Sequence, residues 1–138
     1  MSEARPVYLL DSFALLAYLN NESGRLRVEA ALEQAEKRQC RILMCMINLG
    51  EVLYSVERRR GFAAAQKTLM LSQSLPIKIL EVTNDLVLEA AHIKTSHPLS
   101  YADAFAVAVA INQKAIVLTG DPEFESVETL VTVEWLGR

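Results

Sequence analysis

At 138 residues, 51% of them hydrophobic and 22% charged, with only five glycines and four prolines, the chain suits one compact domain and leaves no room for a second domain or a low-complexity tail. Its longest apolar stretches, such as Ala104 to Ile111, fall well short of the roughly 20 residues needed to cross a bilayer, which excludes a membrane-spanning helix. A net charge of −3 argues against a broadly basic nucleic-acid binder, while leaving room for a local basic patch.

The N-terminal stretch "MSEARPVYLLD" meets an acid soon after its short apolar run and lacks the longer core of a signal peptide, so a cytoplasmic location is expected. "VYLL" (7–10) predicts a buried strand that hands Asp11 and Ser12 to a helix over "FALLAYL". "LRVEAALEQAEKRQ" predicts a second helix, with Lys37 and Arg38 suiting its carboxyl end. "RILMCMI" (41–47) predicts a second buried strand, and "NLGEVLYSVERRR" (48–60) a third helix with Asn48 as N-cap, Glu51 three residues on, and a stop near Gly61. Cys40 and Cys45 have neither CxxC spacing nor a histidine cluster beside them and are expected as buried, reduced thiols.

"FAAAQKTLMLSQSL" (62–75) predicts a fourth helix ending before Pro76, and "IKILEV" (77–82) a strand. Thr83 then caps "NDLVLEAAHIKTS", and the loop "HPLS" (97–100) leads into "YADAFAVAVAINQ", apolar enough to be a central buried helix. "AIVLT" (115–119) predicts a fourth strand, "GDPEFES" a loop, and "LVTVEWL" (130–136) a last, edge-like strand. Among apolar helix residues, Leu53, Tyr54, Leu69 and Leu71 are divided between core and interface by pattern alone. His92 and His97 are expected on a helix face and in a loop, remote from the acids.

Strands alternating with helices imply an α/β domain: a central, mainly parallel sheet of about four to five strands with helices on both faces, right-handedly wound. Ligands of such sheets gather beyond the carboxyl ends of the strands. Asp11 follows the first strand, Glu51 lies in the first turn after the second and Asp121 follows the fourth, so these acids are expected at one edge, with Asp103 joining from the head of the apolar helix. Crowded carboxylates repel and hold protons unless a cation compensates. All-oxygen donors favour Mg²⁺ or Mn²⁺ over zinc, and such a metal suits phosphodiester hydrolysis. Each acid also has a purely structural explanation: Asp11–Ser12 as a helix cap, Glu51 as half of a capping box with Asn48, Asp103 as the end of an SxxD cap after Ser100, and Asp121 as a turn residue. What those explanations leave open is why all four should share one edge.

Four segments in order, "YLLDS", "NLGEVLY", "LSYADAFAVAVA" and "LTGDPEF", together resemble a PIN domain, and most of all the small single-domain VapC toxins of prokaryotic toxin–antitoxin pairs. The resemblance runs from Val7 to Phe124 and makes residues 1–138 one PIN-like nuclease domain. It implies a metal-dependent endoribonuclease with Asp11, Glu51, Asp103 and Asp121 around Mg²⁺ or Mn²⁺, and with Ser12, Asn48, Ser100 and Thr119 orienting those acids or their waters. It also implies a homodimer held inactive by a cognate antitoxin, whose C-terminal segment lies along the acid pocket and often presents an arginine. Cys45 departs from the family pattern, where many relatives carry a small hydroxyl residue. Arg58, Arg59 and Arg60, with Arg25 and Arg27, are candidates for a basic rim that takes RNA phosphates, or else a solvated helix end. Two other readings remain at this level. One is a catalytically silent PIN-fold interaction module; the other is a phosphoacceptor signalling domain, disfavoured because the middle acid, Glu51, falls inside a helix.

Overall fold

A computed structural model describes residues 5–137. Five strands, β1 (Val7–Leu10), β2 (Arg41–Cys45), β3 (Lys78–Leu80), β4 (Ile116–Thr119) and β5 (Val133–Trp135), form one sheet in the order β3-β2-β1-β4-β5. Every pairing is parallel, with Leu9 opposite both Leu43 and Val117. The helices are α1 (Ser12–Leu19), α2 (Arg25–Glu36), α3 (Met46–Arg60), α4 (Phe62–Ser74), α5 (Asn84–Ser96) and α6 (Tyr101–Gln113).

The inner strands read as unbroken apolar runs because both sheet faces are covered. Successive side chains alternate between faces. Leu9, Leu43 and Val117 pack with α5 and α6, whereas Tyr8, Leu10, Ile42, Met44 and Leu118 pack with α1 to α4. α6 is buried continuously from Asp103 to Val109 and on through Ala110, and its alanines let it lie close against the sheet. Leu53 and Leu69 are half-buried against the core, while Tyr54 and Leu71 are exposed. No helix among the described residues is long and apolar enough to cross a membrane.

Four sequence expectations are corrected. The second strand ends at Cys45, and Met46 and Ile47 already belong to α3. The apolar run continues through the strand-to-helix switch, so hydrophobicity alone carries no boundary signal there. Asn48 is consequently not an N-cap but a buried residue of the first turn of α3, and the cap position is Cys45. "GDPEFES" is not a plain loop: Pro122–Val127 form a 3₁₀ helix capped by Asp121, whose Oδ1 accepts the Glu123 N–H at 2.9 Å. β5 covers only three of the expected residues, a short edge strand. Gly61, with φ of 92°, separates α3 from α4 as expected. Both cysteines are buried free thiols.

In this strand order the chain leaves β1 toward β2 on one side and returns to β4 on the other, so the crevice between the carboxyl ends of β1 and β4 is the switch point where α/β sheets bind ligands. Asp11 immediately follows β1, and Asp121 lies two residues beyond the end of β4.

Candidate metal centre

Asp11 is the cap of α1, and its Oδ1 accepts the Ala14 N–H at 2.9 Å. The capping explanation is therefore correct, and it uses only one of the two oxygens. The other accepts the hydroxyl of Thr119, the last residue of β4, and that same hydroxyl accepts the Asp121 N–H at 3.0 Å. Thr119 and Asp11 are both buried. One hydroxyl thus ties the ends of β1 and β4 together and sets Asp121 relative to Asp11. Gly120, between Thr119 and Asp121, is packed under the ring of Phe13, whose Cζ lies 2.5 Å from where a Cβ would stand, so a side chain here would have to displace that ring.

Ser100 caps α6, its Oγ accepting the Asp103 N–H at 3.1 Å, and the rigid apolar helix behind it fixes the carboxyl of Asp103. Carboxylate oxygens of Asp103, Asp121 and Glu123 lie within 4.8 Å of one another. Glu123 is the residue that sequence reasoning missed. Its only signal was its place two positions beyond Asp121 across Pro122, and that becomes informative once the segment is known to turn as a capped 3₁₀ helix. Burial pushes the Asp11 carboxyl from 3.8 up to about 7, against the lowering effect of the Thr119 and Ala14 hydrogen bonds, with the charge of Asp121 adding to the rise. Asp103 is pushed up to about 8, first by burial, then by the charges of Asp121 and Asp11, and by a hydrogen bond with the Asp121 carboxyl; Ser100 opposes the shift.

Glu51 stands apart from the tight trio. It accepts from Asn48 Nδ2 at 3.3 Å, and the same amide nitrogen donates to the Ala102 carbonyl at 3.2 Å, linking the first turns of α3 and α6. The two acceptors fix the amide's orientation and leave Asn48 Oδ1 buried without a partner. Glu51 and Ser12 line a groove of about 520 Å³ with Tyr54, Ser55, Arg58 and Arg59.

Of the five candidate arginines, Arg58 and Arg59 face this groove; Arg60 is exposed and does not line it. Arg25 and Arg27 are engaged elsewhere. Arg25 donates to the Tyr18 carbonyl, pairs with Glu29 at 3.5 Å and lies over the Tyr18 ring. Arg27 grips Glu134 with two nitrogens and lies over Tyr8. His92 is exposed on α5, and His97 donates from Nδ1 to the Ile93 carbonyl at 2.9 Å, so neither joins the acids.

The donor chemistry fits a hard divalent cation. Asp103, Asp121 and Glu123 offer converging oxygens and Asp11 stands in their field, while no ion pair among the described residues reaches Asp11, Asp103 or Asp121. Among the described residues no histidine or cysteine joins this group, which would have favoured a softer metal. Without a cation, Asp103 and Asp121 meet only by holding a proton between them.

A family model for the PIN domain matches residues 8–130. No curated protein matches the sequence. Among solved structures, the chain is similar to VapBC2 from Rickettsia felis bound to a DNA fragment from its promoter, with a TM-score of 0.76 and 18% identity over 94% of this chain and 98% of that one. It is similar to VapC20 from Mycobacterium tuberculosis, a sarcin–ricin loop cleaving toxin, with a TM-score of 0.69 and 22% identity over 87% and 94%. A toxin–antitoxin complex from Klebsiella pneumoniae gives a TM-score of 0.66 and 19% identity over 92% and 95%. At these identities the likeness to the solved structures is one of fold.

Proposed function

The chain belongs to the PIN domain family, and from that premise we propose that it is a Mg²⁺- or Mn²⁺-dependent endoribonuclease, the toxin of a toxin–antitoxin pair. One observation carries the reading: three carboxylates converge within 4.8 Å beside a fourth that is buried, and among the described residues no ion pair offsets them. Such an arrangement costs stability unless a metal completes it, which is the mark of a functional site.

Asp103, Asp121 and Glu123 would hold the ion, with Asp11 beside them and Glu51 acting from the groove side. When bound, a divalent cation supplies positive charge against a phosphodiester and acidifies water. The protein's own groups do the rest. Thr119 and the Ala14 N–H hold Asp11 at a fixed angle, and Ser100 and α6 hold Asp103, so the acids need little reorganisation when substrate arrives. With a cation present both groups would stand as carboxylates, Asp103 among the holders of the ion and Asp11 beside it, placed to orient water or accept its proton. Asn48 keeps Glu51 turned toward the pocket, and Ser12 presents a hydroxyl on the same wall. Arg58 and Arg59 would contact RNA phosphates along the groove, and the exposed ring of Tyr54 offers a base a stacking surface.

The solved relatives include a complex of toxin with antitoxin and an RNA-cleaving toxin, which supports an antitoxin partner and an RNA substrate for this chain. Phe62, Met70 and Leu71, exposed on α4, support a homodimer or antitoxin contact. The test is cleavage of structured RNAs by the purified protein. Cleavage with Mn²⁺ or Mg²⁺, lost with a chelator and lost in Asp103→Asn, is expected; cleavage that survives both would overturn the assignment.

A further inference from the structure

The end of the sheet opposite the acids is as basic as the acid edge is negative. There the amino-terminal ends of the strands open into a cleft of about 360 Å³ walled by Arg5, Arg38, Arg41 and Lys78, with Leu75 and Ile77 among its apolar lining. The placement follows from topology. Arg41 and Lys78 are the first residues of β2 and β3, and Arg5 lies two residues before β1. Arg38 lies just beyond the end of α2. In a parallel sheet all strand beginnings share one edge, so these cations gather at one end while Asp11 and Asp121 gather at the other. With strands of up to five residues, and about 3.3 Å per residue, the two ends are separated by roughly 15 Å of sheet plus the loops.

The four cations are exposed, and among the described residues none is ion-paired and no carboxylate lines the cleft. The carboxyl ends of α2 and α4 lie beside it, but each carries only about half a unit of negative charge and together they offset about one of four positive charges. Arg38 also holds a left-handed backbone, φ 59°, where glycine is the residue free of steric cost, and its side chain makes no hydrogen bond among the described residues. Unpaired guanidinium groups around an apolar floor suit a nucleic-acid strand: phosphates meet the cations, and bases find planar and apolar surfaces. The acid edge offers a long polyanion few contacts of its own. Beside it only Arg58 and Arg59 line the groove, since Arg25 and Arg27 are committed to Glu29 and Glu134.

We propose that the Arg5–Arg38–Arg41–Lys78 cleft is a second RNA-contact surface, which holds the backbone of a folded substrate at a distance from the bond being cut. The proposal rests on the nuclease reading, and its consequence is specific. The cleft contributes to affinity for RNAs large enough to reach both ends of the sheet and nothing to a short oligonucleotide that spans only the groove.

The test compares the full chain with Arg41→Glu/Lys78→Glu, two exposed positions whose change leaves the core intact, with unchanged circular dichroism and melting as the check. Binding of a fluorescein-labelled hairpin RNA is followed by anisotropy across a salt series in the Asp103→Asn background with chelator, so that no cleavage intervenes. Charge reversal should weaken binding at least tenfold and flatten the dependence of log affinity on log salt by roughly two phosphate contacts' worth. In the active protein it should raise KM for the hairpin without lowering kcat, and leave cleavage of the short oligonucleotide as it was. Unaltered affinity and salt slope would overturn the proposal while the nuclease reading stands; no RNA binding or cleavage by the unaltered protein would remove both. Polyglutamate bound by the unaltered chain and lost on charge reversal, with RNA affinity unmoved, would assign the cleft to an acidic protein partner and equally overturn it.

Discussion

Thr119 donates its hydroxyl proton to Asp11 across 108 positions of sequence, while accepting the N–H of Asp121 on the same oxygen. That hydroxyl bonds both acids at the switch point, so removing it should disturb their spacing without opening the core. Thr119→Val keeps the volume and the β-branched shape of a strand residue. RNA cleavage should fall about 10- to 100-fold and Mn²⁺ affinity by a similar factor, as when an outer partner of a metal-binding acid is removed. Melting should fall as well, because the substitution strands a buried oxygen of Asp11. Full activity in Thr119→Val would show that Asp11 is positioned by its helix cap alone.

The raised values of Asp11 and Asp103 make stability depend on pH in a definite sense. Both carboxyls hold their protons more tightly in the folded chain than at the ordinary value of 3.8, Asp11 to about 7 and Asp103 to about 8. The folded state therefore binds more protons than the unfolded state between about pH 4 and pH 8, and stability falls as pH rises through that window. For metal-free protein the melting temperature should drop by several degrees from pH 5 to pH 8. Asp11→Asn should flatten the decline and melt higher than the unaltered chain at pH 8, while Mn²⁺ should restore the melting of the unaltered chain. Thermal denaturation across pH with and without Mn²⁺ checks this, and a metal-free stability that climbs with pH would contradict the burial argument.

Much of this was open to sequence reading because the physics was local or periodic. VYLL, AIVLT and the apolar body of α6 announce themselves by composition, and Thr83 and Ser100 cap where their spacing says they should. Asp11 and Asp121 could be placed together because parallel topology brings strand ends to one edge. What escaped depended on events that leave no hydrophobic trace. The start of α3 is hidden inside RILMCMI, and with it the true role of Asn48, which spans two helices instead of capping one. Glu123 reaches the acid trio only through a 3₁₀ turn. Whether an arginine is available or already committed, as Arg27 is to Glu134, depends on a residue more than a hundred positions away.

Asn48 supplies a third expectation. Its amide is buried between α3 and α6, holding Glu51 and the Ala102 carbonyl, the latter one residue before Asp103. Asn48→Ala strands that carbonyl and leaves a small void, so stability should fall by about 1–3 kcal/mol. Asn48→Asp should be worse, because a carboxylate oxygen would face two acceptors in place of the amide donor. Urea denaturation of the three proteins checks the order: unaltered, then Ala, then Asp. An Asp variant as stable as the parent would mean that the amide is not the link between the helices.

Glu123 separates a metal ligand from a structural acid more cleanly than the buried residues do. It is exposed, its N–H bond to Asp121 belongs to the backbone, and Gln retains both the helix turn and the side-chain volume. Glu123→Gln therefore removes one charged oxygen from the trio and little else. Mn²⁺ affinity by calorimetry should fall roughly tenfold, with melting of the metal-free protein unchanged. Glu51→Gln, by contrast, alters a side chain that lies outside the trio and is tied to Asn48, so it should spare the first binding event and reduce cleavage at saturating metal. The reverse pattern, with Glu51→Gln losing the metal and Glu123→Gln keeping it, would move the ion away from the 3₁₀ turn and toward α3.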